Sequence, residues 1–220
     1  LTVDATSITG ASTDVQAITT GSGVDTVTFT GDATYVGVST AGAQGTISIS
    51  TGAGDDTISV TVGTLIADSS TVSGQAITIT GGTGKDTITK VGVNSDVALG
   101  VAHFAVSAGH STAASYDEIT GFDEATASTF SDGLDFSGTA AIGTLTSTDY
   151  GVIASHSITA GVALFDDASS YSTELIISAA NIDDVLGYLA ANTSTNDVIA
   201  FAYDDNANGS NDSTMVYHNG

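Results

Sequence analysis

Short runs of alternating apolar and polar residues recur through the first 92 positions of the chain. Alternation with a period of two predicts β-strands that bury one face. The runs come in pairs, and a glycine-containing turn separates the two members of each pair. The first members are QAITT at 16–20, GTISIS at 45–50 and QAITIT at 75–80. The second members are TVTFT at 26–30, TISVTV at 57–62 and TITKV at 87–91.

The turns between the paired runs repeat almost residue for residue. They read TGSGVD at 20–25, TGAGDD at 51–56 and GGTGKD at 81–86, so their final aspartates lie 31 and then 30 residues apart. Repeats of about 20–50 residues indicate stacked units, and this repeat leaves no room for a crossover helix. The pattern predicts a right-handed parallel β-solenoid or β-roll with about three short strands per coil. The third strand would lie in the variable stretches 31–44 and 63–74.

The same alternation assigns residues to the two faces of each strand. Thr26, Thr57 and Thr87 would stack as an outward-facing ladder. Lys90 falls on an inward position, so either the strand bulges there or the regular solenoid is ending, and the loss of the repeat beyond position 92 favours an ending. The apolar residues predicted to face the core are Ile18, Val27, Phe29, Ile47, Ile49, Ile58, Val60, Ile77, Ile79 and Ile88.

Two further strands are predicted in residues 116–138, which read YDEITGFDEATASTFSDGLDFSG. They would cap the solenoid, with Ile119, Phe122, Leu134 and Phe136 in its core. The chain therefore divides into solenoid repeats at 1–115, capping strands at 116–138 and a smaller β-rich (α+β) region at 139–220. Because the opening LTVDA reads as the second half of a strand, we expect the chain to be a mature piece or a fragment of a longer protein.

The last region contains one helical pattern, SAANIDDVLGYLAAN at 178–192, between strand-like runs. Its apolar residues recur at helical spacing, and Ser178 or Asn181 could cap the helix. The final two strand-like runs flank a polar loop.

That loop begins like an EF-hand loop. Asp204, Asn206 and Asn208 match the D-x-[DN]-x-[DN]-G opening, but Met215 stands where an EF-hand has glutamate, and strands flank the loop instead of helices. Asp205 or Asp212 could supply the missing carboxylate. The loop is therefore either a calcium-binding hairpin loop or a polar turn.

Composition excludes several classes of function. The chain has 25 acidic residues against 2 basic ones, a net charge of −23, so phosphate backbones and anionic membrane surfaces would repel it. It has no Cys and hence no disulfide framework. No apolar run approaches the ~18 residues of a membrane span. The charge and the lack of a long apolar run therefore predict no nucleic-acid partner and no membrane insertion. Neither of the catalytic motifs H-E-x-x-H and G-x-S-x-G occurs, so we expect the chain not to be an enzyme.

The aspartates of the repeated turns, in a chain with so many acidic residues, indicate a cation-binding role for the turns. Equivalent residues of neighbouring coils lie ~4.8 Å apart, and two carboxylates at that separation repel by roughly 1 kcal/mol in water. Stacked Asp25, Asp56 and Asp86, with Asp55 beside them, therefore favour a cation between the coils. Ca²⁺ suits carboxylate and carbonyl oxygens. The glycines of the turns would permit positive φ and direct carbonyl oxygens at the ion; they are Gly21, Gly23, Gly52, Gly54, Gly82 and Gly84.

The alternative is that each Asp–Thr pair is an ordinary turn whose carboxylate binds nearby amides. The calcium interpretation also includes the later polar loop, where the predicted ligands are Asp204, Asn206, Asn208 and Asp212.

The repeated G-x-G-x-D-T-[IV] sequence resembles the nonapeptide G-G-x-G-x-D-x-U-x of the RTX proteins, the calcium-binding substrates of bacterial type I secretion. The first glycine of the nonapeptide is present as Gly81, whereas Thr20 and Thr51 stand there in the other repeats. The repeats are spaced apart rather than contiguous, which places the expected calcium on one edge of a wider coil. Residues 116–138 resemble the D-x-I-x-x-F … D-x-L-D-[LF]-S stretch that follows RTX repeats; the matches are Asp117, Ile119, Phe122, Asp132, Leu134, Asp135, Phe136 and Ser137.

This resemblance implies a non-enzymatic, calcium-stabilised extracellular protein, part of a bacterial S-layer or a related RTX surface protein. Its implied partners are several Ca²⁺ ions, the type I secretion machinery, further copies of the chain in a lattice or filament bridged by calcium, and a surface glycan or lipopolysaccharide. Two alternatives stay open. One is a repeat adhesin that uses 31–44 and 63–74 as its contact edge, and the other is the C-terminal RTX secretion module of a secreted enzyme.

Overall fold

The structure, a computed structural model, describes residues 2–8, 16–31, 47–62, 77–91, 102–107, 109–110, 115–122, 132–136, 141–142, 145–159 and 162–219. These ranges contain fifteen β-strands and one α-helix. The chain divides into two compact units, Leu1–Ser137 and Gly138–Gly220.

The first unit is built from parallel strands. In chain order they are β1 (Thr2–Ile8), β2 (Gln16–Ser22), β3 (Thr26–Gly31), β4 (Ile47–Ala53), β5 (Thr57–Val62), β6 (Ile77–Thr83), β7 (Thr87–Val91), β8 (Ala102–Val106), β9 (Glu118–Thr120) and β10 (Gly133–Phe136). They form two five-stranded sheets, ordered β1-β3-β5-β7-β9 and β10-β8-β6-β4-β2. The two strands of each repeat therefore belong to different sheets, and the repeated turn connects them.

Neighbouring strands pair in the register that the repeat predicts. Thr26 pairs with Thr57 and Thr57 with Thr87, on the outward face. The predicted inward residues form one apolar core, in which Ile18 is partly buried and the others are buried. Ile119, Phe122 and Leu134 pack against that core, as expected for capping strands. Since the apolar side chain at each inward position stacks on its equivalent in the next coil, the core continues from coil to coil.

The sheets do not end at the third repeat, and β7 does not bulge. β9 pairs with β7 and β8 pairs with β6, while β10 extends the second sheet beyond β8. Lys90 keeps regular register with Val60 and is buried, at 4% exposure. The bulge predicted as one explanation for Lys90 is therefore wrong, while each sheet ends one coil further on, with β9 and β10. The position tolerates a cation because the carboxylate of Asp132 lies against it.

The predicted third strand of each coil falls on 31–44 and 63–74, which apart from Gly31 lie outside the described residues. The strands that are described form three sheets in all, two here and one in the second unit, rather than a single roll.

The second unit combines a mixed sheet with the predicted helix. Its elements are β11 (Ala141–Ile142), β12 (Ser155–Thr159), β13 (Val162–Asp166), α1 (Ile182–Asn192), β14 (Asp197–Tyr203) and β15 (Ser213–His218). β12 and β13 form an antiparallel hairpin, α1 connects β13 to its parallel neighbour β14, and β15 pairs antiparallel with β14. Asn181, one of the two predicted caps, occupies the N-cap position, but its side chain makes no capping hydrogen bond.

A second core holds these elements together. Phe165 on β13 packs edge-on against Tyr188 of the helix and Phe201 of β14, with ring centroids 5.8 and 5.9 Å apart. Val185 and Leu189 complete the buried face of α1. This packing fixes the strands that flank the polar loop. Across the described ranges, no helix is both long enough and apolar enough to cross a membrane.

Candidate calcium sites

The three repeated turns stack directly on one another. Gly21 pairs with Gly52, and Gly52 with Gly82. In addition, the amide of the second glycine in each of the first two turns donates a hydrogen bond to a carbonyl of the turn that follows. The predicted ligand residues of the three turns are therefore brought into one column.

Steric contact between coils requires the glycines of the later turns. Gly52 has φ of 99°, and a Cβ there would lie 2.0 Å from the carbonyl oxygen of Gly21. A Cβ at Gly82, with φ of 109°, would lie 1.7 Å from the carbonyl oxygen of Gly52. Gly21 has open space around it. The glycine repeat is thus explained by close stacking as well as by positive φ.

The aspartates of the turns point inward and are linked through the backbone. The amide of Asp25 donates to Oδ1 of Asp56 at 2.8 Å, and the amide of Asp56 donates to Oδ1 of Asp86 at 2.9 Å. The amide of Asp86 donates to Oδ1 of Asp117 at 3.1 Å. We call Asp25, Asp56, Asp86 and Asp117 the aspartate ladder. Its hydrogen bonds correspond to the amide-binding role predicted as the alternative to calcium, except that they join different coils.

Asp117 is the member of the ladder that the sequence motif missed. Its turn lacks the G-x-G sequence, so it does not match the repeat. A signal was nevertheless present, because Asp117 follows Asp86 by 31 residues and is followed by Glu-Ile-Thr where Asp86 is followed by Thr-Ile-Thr. The spacing alone would have identified it.

Two carboxylate oxygens of the ladder have no hydrogen-bond donor. They are Oδ2 of Asp56 and Oδ2 of Asp86, and both atoms are buried. The residues themselves are 1% and 0% exposed. A buried polar atom without a partner costs free energy, and nearly all such atoms in folded proteins are satisfied. These two oxygens are therefore where a cation or a proton would stabilise the turns.

The threonines that replace the first nonapeptide glycine also bridge the turns. The Thr20 hydroxyl donates to the carbonyl of Thr51 at 2.7 Å, and the Thr51 hydroxyl donates to the carbonyl of Gly81 at 2.8 Å. At Gly81 a Cβ would lie 2.1 Å from Oδ2 of Asp86, so this carboxylate uses the space that a side chain would need.

The pKa values change along the ladder. Burial raises the pKa of Asp117 to about 7, and burial also raises the pKa of Asp86. At the other end, the Gly21 amide donates a hydrogen bond to Oδ2 of Asp25 at 3.3 Å. Loss of hydration thus disfavours the charged form at Asp86 and Asp117 unless a cation compensates for it.

Asp55 lies outside the ladder. It is exposed, and its Oδ1 accepts a hydrogen bond from the Lys85 amide at 2.9 Å. Nowhere in the described ranges do three or more His, Cys, Asp or Glu side chains converge on a position that could hold an ion. A calcium ion at the ladder would therefore need main-chain oxygens as well.

The polar loop between β14 and β15 brings its predicted residues together. Asp204 is buried and accepts hydrogen bonds from the amides of Asn208 and Gly209, at 3.0 and 2.8 Å. Oδ2 of Asp212 accepts from the side-chain amides of Asn206 and Asn208, at 2.7 and 2.9 Å. These hydrogen bonds lower the pKa of Asp212, and the bond from Asn206 has the largest effect.

Each carboxylate of this cluster is thus already hydrogen-bonded, and an ion would have to displace the two amide donors on Asp212. Asp205, the other candidate, accepts a hydrogen bond from the Ser213 hydroxyl. The arrangement favours the polar-turn alternative for this loop.

Comparisons of the chain with protein-family models, curated proteins and solved structures gave no match. The functional proposal therefore depends on the residues and their geometry.

Proposed function

We propose that this chain is a non-enzymatic, calcium-stabilised structural protein of the bacterial cell surface, part of an S-layer or a related RTX surface protein exported by type I secretion. Its first unit would be a right-handed parallel β-solenoid, and the two five-stranded sheets would be two of its walls. Support for this fold comes from consecutive strands that alternate between two parallel sheets in matching register.

The buried, unpartnered Oδ2 atoms of Asp56 and Asp86 carry the calcium part of the proposal. They belong to neighbouring coils, in a chain whose net charge of −23 favours cation binding. Asp25, Asp56 and Asp86 would hold the ions together with carbonyl oxygens of the turn glycines. A bound Ca²⁺ would supply the positive charge that compensates the buried carboxylates. The competing way to neutralise them is protonation.

Such binding would couple folding to the calcium concentration. At low calcium the stacked carboxylates disfavour the native state, because burial removes their hydration without a compensating charge. At the higher calcium concentration outside the cell, the free energy of binding adds to the free energy of folding. The proposal therefore predicts export of an unfolded first unit and its folding at the cell surface.

Isothermal titration calorimetry and electron microscopy test the two halves of this proposal. We expect several Ca²⁺ ions to bind with sub-millimolar to millimolar dissociation constants, typical of extracellular calcium modules, and Mg²⁺ to bind more weakly. We expect sheets or filaments of the protein to form on addition of Ca²⁺. Calcium binding by a protein that stays monomeric would contradict the S-layer assignment and favour the adhesin alternative. The contact stretches proposed for the adhesin, 31–44 and 63–74, lie outside the described residues apart from Gly31.

A further inference from the structure

Lys90 and Asp132 form a buried contact that the calcium proposal does not use. The Nζ atom of Lys90 lies 2.7 Å from Oδ1 and 2.8 Å from Oδ2 of Asp132. The two side chains are 1% and 0% exposed. Lys90 is on β7 of one sheet, and Asp132 immediately precedes β10 of the other. The contact thus joins residues 42 positions apart.

The surroundings of this contact are apolar. Lys90 pairs across the sheet with Val60, which is 0% exposed, and Asp132 lies next to Ala102, also 0% exposed. Removing an ammonium and a carboxylate from water is costly, and their mutual attraction repays that cost only in part. A covalent product that keeps both side chains in place but carries neither charge would avoid this cost of desolvation.

We propose that Lys90 and Asp132 form an intramolecular isopeptide bond. The Nζ–Cγ bond forms and the bond from Cγ to Oδ2 breaks, while the departing oxygen takes two protons from the ammonium group and leaves as one water molecule. No electrons are exchanged with another molecule. The Ala102 amide donates to Oδ1 of Asp132 at 2.9 Å. This donor would stabilise the negative charge that Oδ1 carries in the tetrahedral intermediate.

Two features of the site favour the amide over its hydrolysis. Holding a nucleophile against its electrophile corresponds to effective concentrations of about 10⁵–10⁸ M, and the contact distances show that the reacting groups already touch. Burial also keeps away the water that would reverse the reaction. The chain has no Cys, so an isopeptide bond is a covalent cross-link that its composition permits.

The intact mass of the folded, then denatured, wild-type chain tests the proposal. We expect a mass lower than that of the sequence by one water molecule. Trypsin gives an independent readout, because Lys85 and Lys90 are the only basic residues of the chain. A free Lys90 yields fragments 1–85, 86–90 and 91–220, whereas a cross-linked Lys90 yields only 1–85 and 86–220.

Matched variants identify the bond. Lys90→Arg keeps the positive charge but removes the nucleophilic amine, so it should show the full sequence mass. Lys85→Arg changes the exposed lysine and should still lose one water. Asp132→Asn should lose ammonia instead and reach the same mass as the cross-linked wild type. A folded wild-type chain with its full mass and three tryptic fragments would overturn the proposal, and it would leave the calcium proposal untouched because the readout is covalent.

Discussion

Asp56 combines a structural role with the proposed role as a calcium ligand. Its Oδ1 accepts the amide of Asp25, and its Oδ2 is buried without a donor. The first property explains why an acceptor is needed at this place, but an asparagine would supply one equally well. Only the second property, the buried Oδ2, calls for a carboxylate rather than an amide. Replacing Asp56 with asparagine, which keeps one oxygen and removes the charge, therefore separates the two roles.

We predict that Asp56→Asn weakens calcium binding at the ladder by about tenfold or more, because it removes a charged ligand. In the presence of a chelator the same variant should keep at least as much β signal as the wild type, since it keeps the acceptor and removes a buried charge. Calorimetry and far-UV circular dichroism measure the two effects. Asp149→Asn, at an exposed position, is the control and should change neither. An unchanged calcium affinity in Asp56→Asn would show that the ladder does not bind the ion.

Glycines at equivalent positions should differ in their tolerance of substitution. Gly52→Ala places a Cβ against the carbonyl oxygen of Gly21 at positive φ, so we expect a loss of more than about 1 kcal/mol in the free energy of unfolding. Gly21→Ala has open space and serves as the matched control, with an expected change near zero. Chemical denaturation measures both, and equal losses would contradict the stacking geometry.

Asp166 gives a prediction about pH. Its carboxylate accepts hydrogen bonds from the amides of Thr173, Ser172 and Ala168, and these lower its pKa below the ordinary value of 3.8. Because the pKa of Asp166 is lower in the folded than in the unfolded state, its ionised carboxylate stabilises the folded protein at any pH above the unfolded-state pKa. That stabilisation is lost as the pH falls from the unfolded-state pKa towards the folded-state pKa. Asp166→Asn should therefore lower the melting temperature at pH 7, and the difference from wild type should shrink as the pH falls through about 4. A difference independent of pH would contradict this.

At the scale of elements, the side chain of Asn192 makes most of the side-chain hydrogen bonds that tie the segment 145–149 to the end of α1. Asn192 is buried, and its amide group exchanges hydrogen bonds with the backbone of Thr148 and with the hydroxyl of Thr146. It also donates to the carbonyl of Tyr188 at 2.8 Å. The Tyr188 hydroxyl also donates to the Thr146 carbonyl at 3.3 Å, but the bonds of the Asn192 side chain to Thr146 and Thr148 should all be lost with Asn192.

We expect Asn192→Ala to lower the free energy of unfolding of the second unit by roughly 1–3 kcal/mol, because the Thr148 backbone and the Tyr188 carbonyl would lose hydrogen bonds and a buried side chain would leave a cavity. Thr195→Ala, at an exposed position after the helix, is the control. Thermal unfolding in the presence of calcium measures the change. A loss no larger than that of the control would mean that water replaces Asn192 without cost.

The sequence predicted the repeated strands, but it did not predict contacts between residues that lie outside the repeat. Strand register followed from the nearly equal spacing of Asp25, Asp56 and Asp86, 31 and 30 residues, because a period fixes which residues become neighbours. The partner of Lys90 could not be predicted, since Asp132 lies 42 residues away and outside the period. Asn181 was correctly placed near the start of α1, but its side chain instead accepts the amide of Ser178 at 2.8 Å. Local patterns do not reveal which of several nearby groups a polar side chain will bind.

For the whole molecule, the unusual feature is an acidic chain that also buries several of its carboxylates. Asp25, Asp56 and Asp86 are each at most 3% exposed, in a chain with a net charge of −23. Ligand binding to the native state alone stabilises it by about 2.7 kcal/mol for a site at 100 times its dissociation constant. A few such sites are comparable to the whole stability of a domain, about 5–15 kcal/mol. Calcium at the ladder would thus decide whether the first unit is folded.

Far-UV circular dichroism of the wild-type protein in excess chelator, followed by titration with Ca²⁺, measures this dependence. We expect most of the β signal to be absent with the chelator and to appear between sub-millimolar and millimolar Ca²⁺, with Mg²⁺ unable to replace it at the same concentration. A spectrum that is the same with chelator and with calcium would show that the aspartate ladder folds without a metal ion, and that its buried carboxylates are protonated or hydrogen-bonded instead.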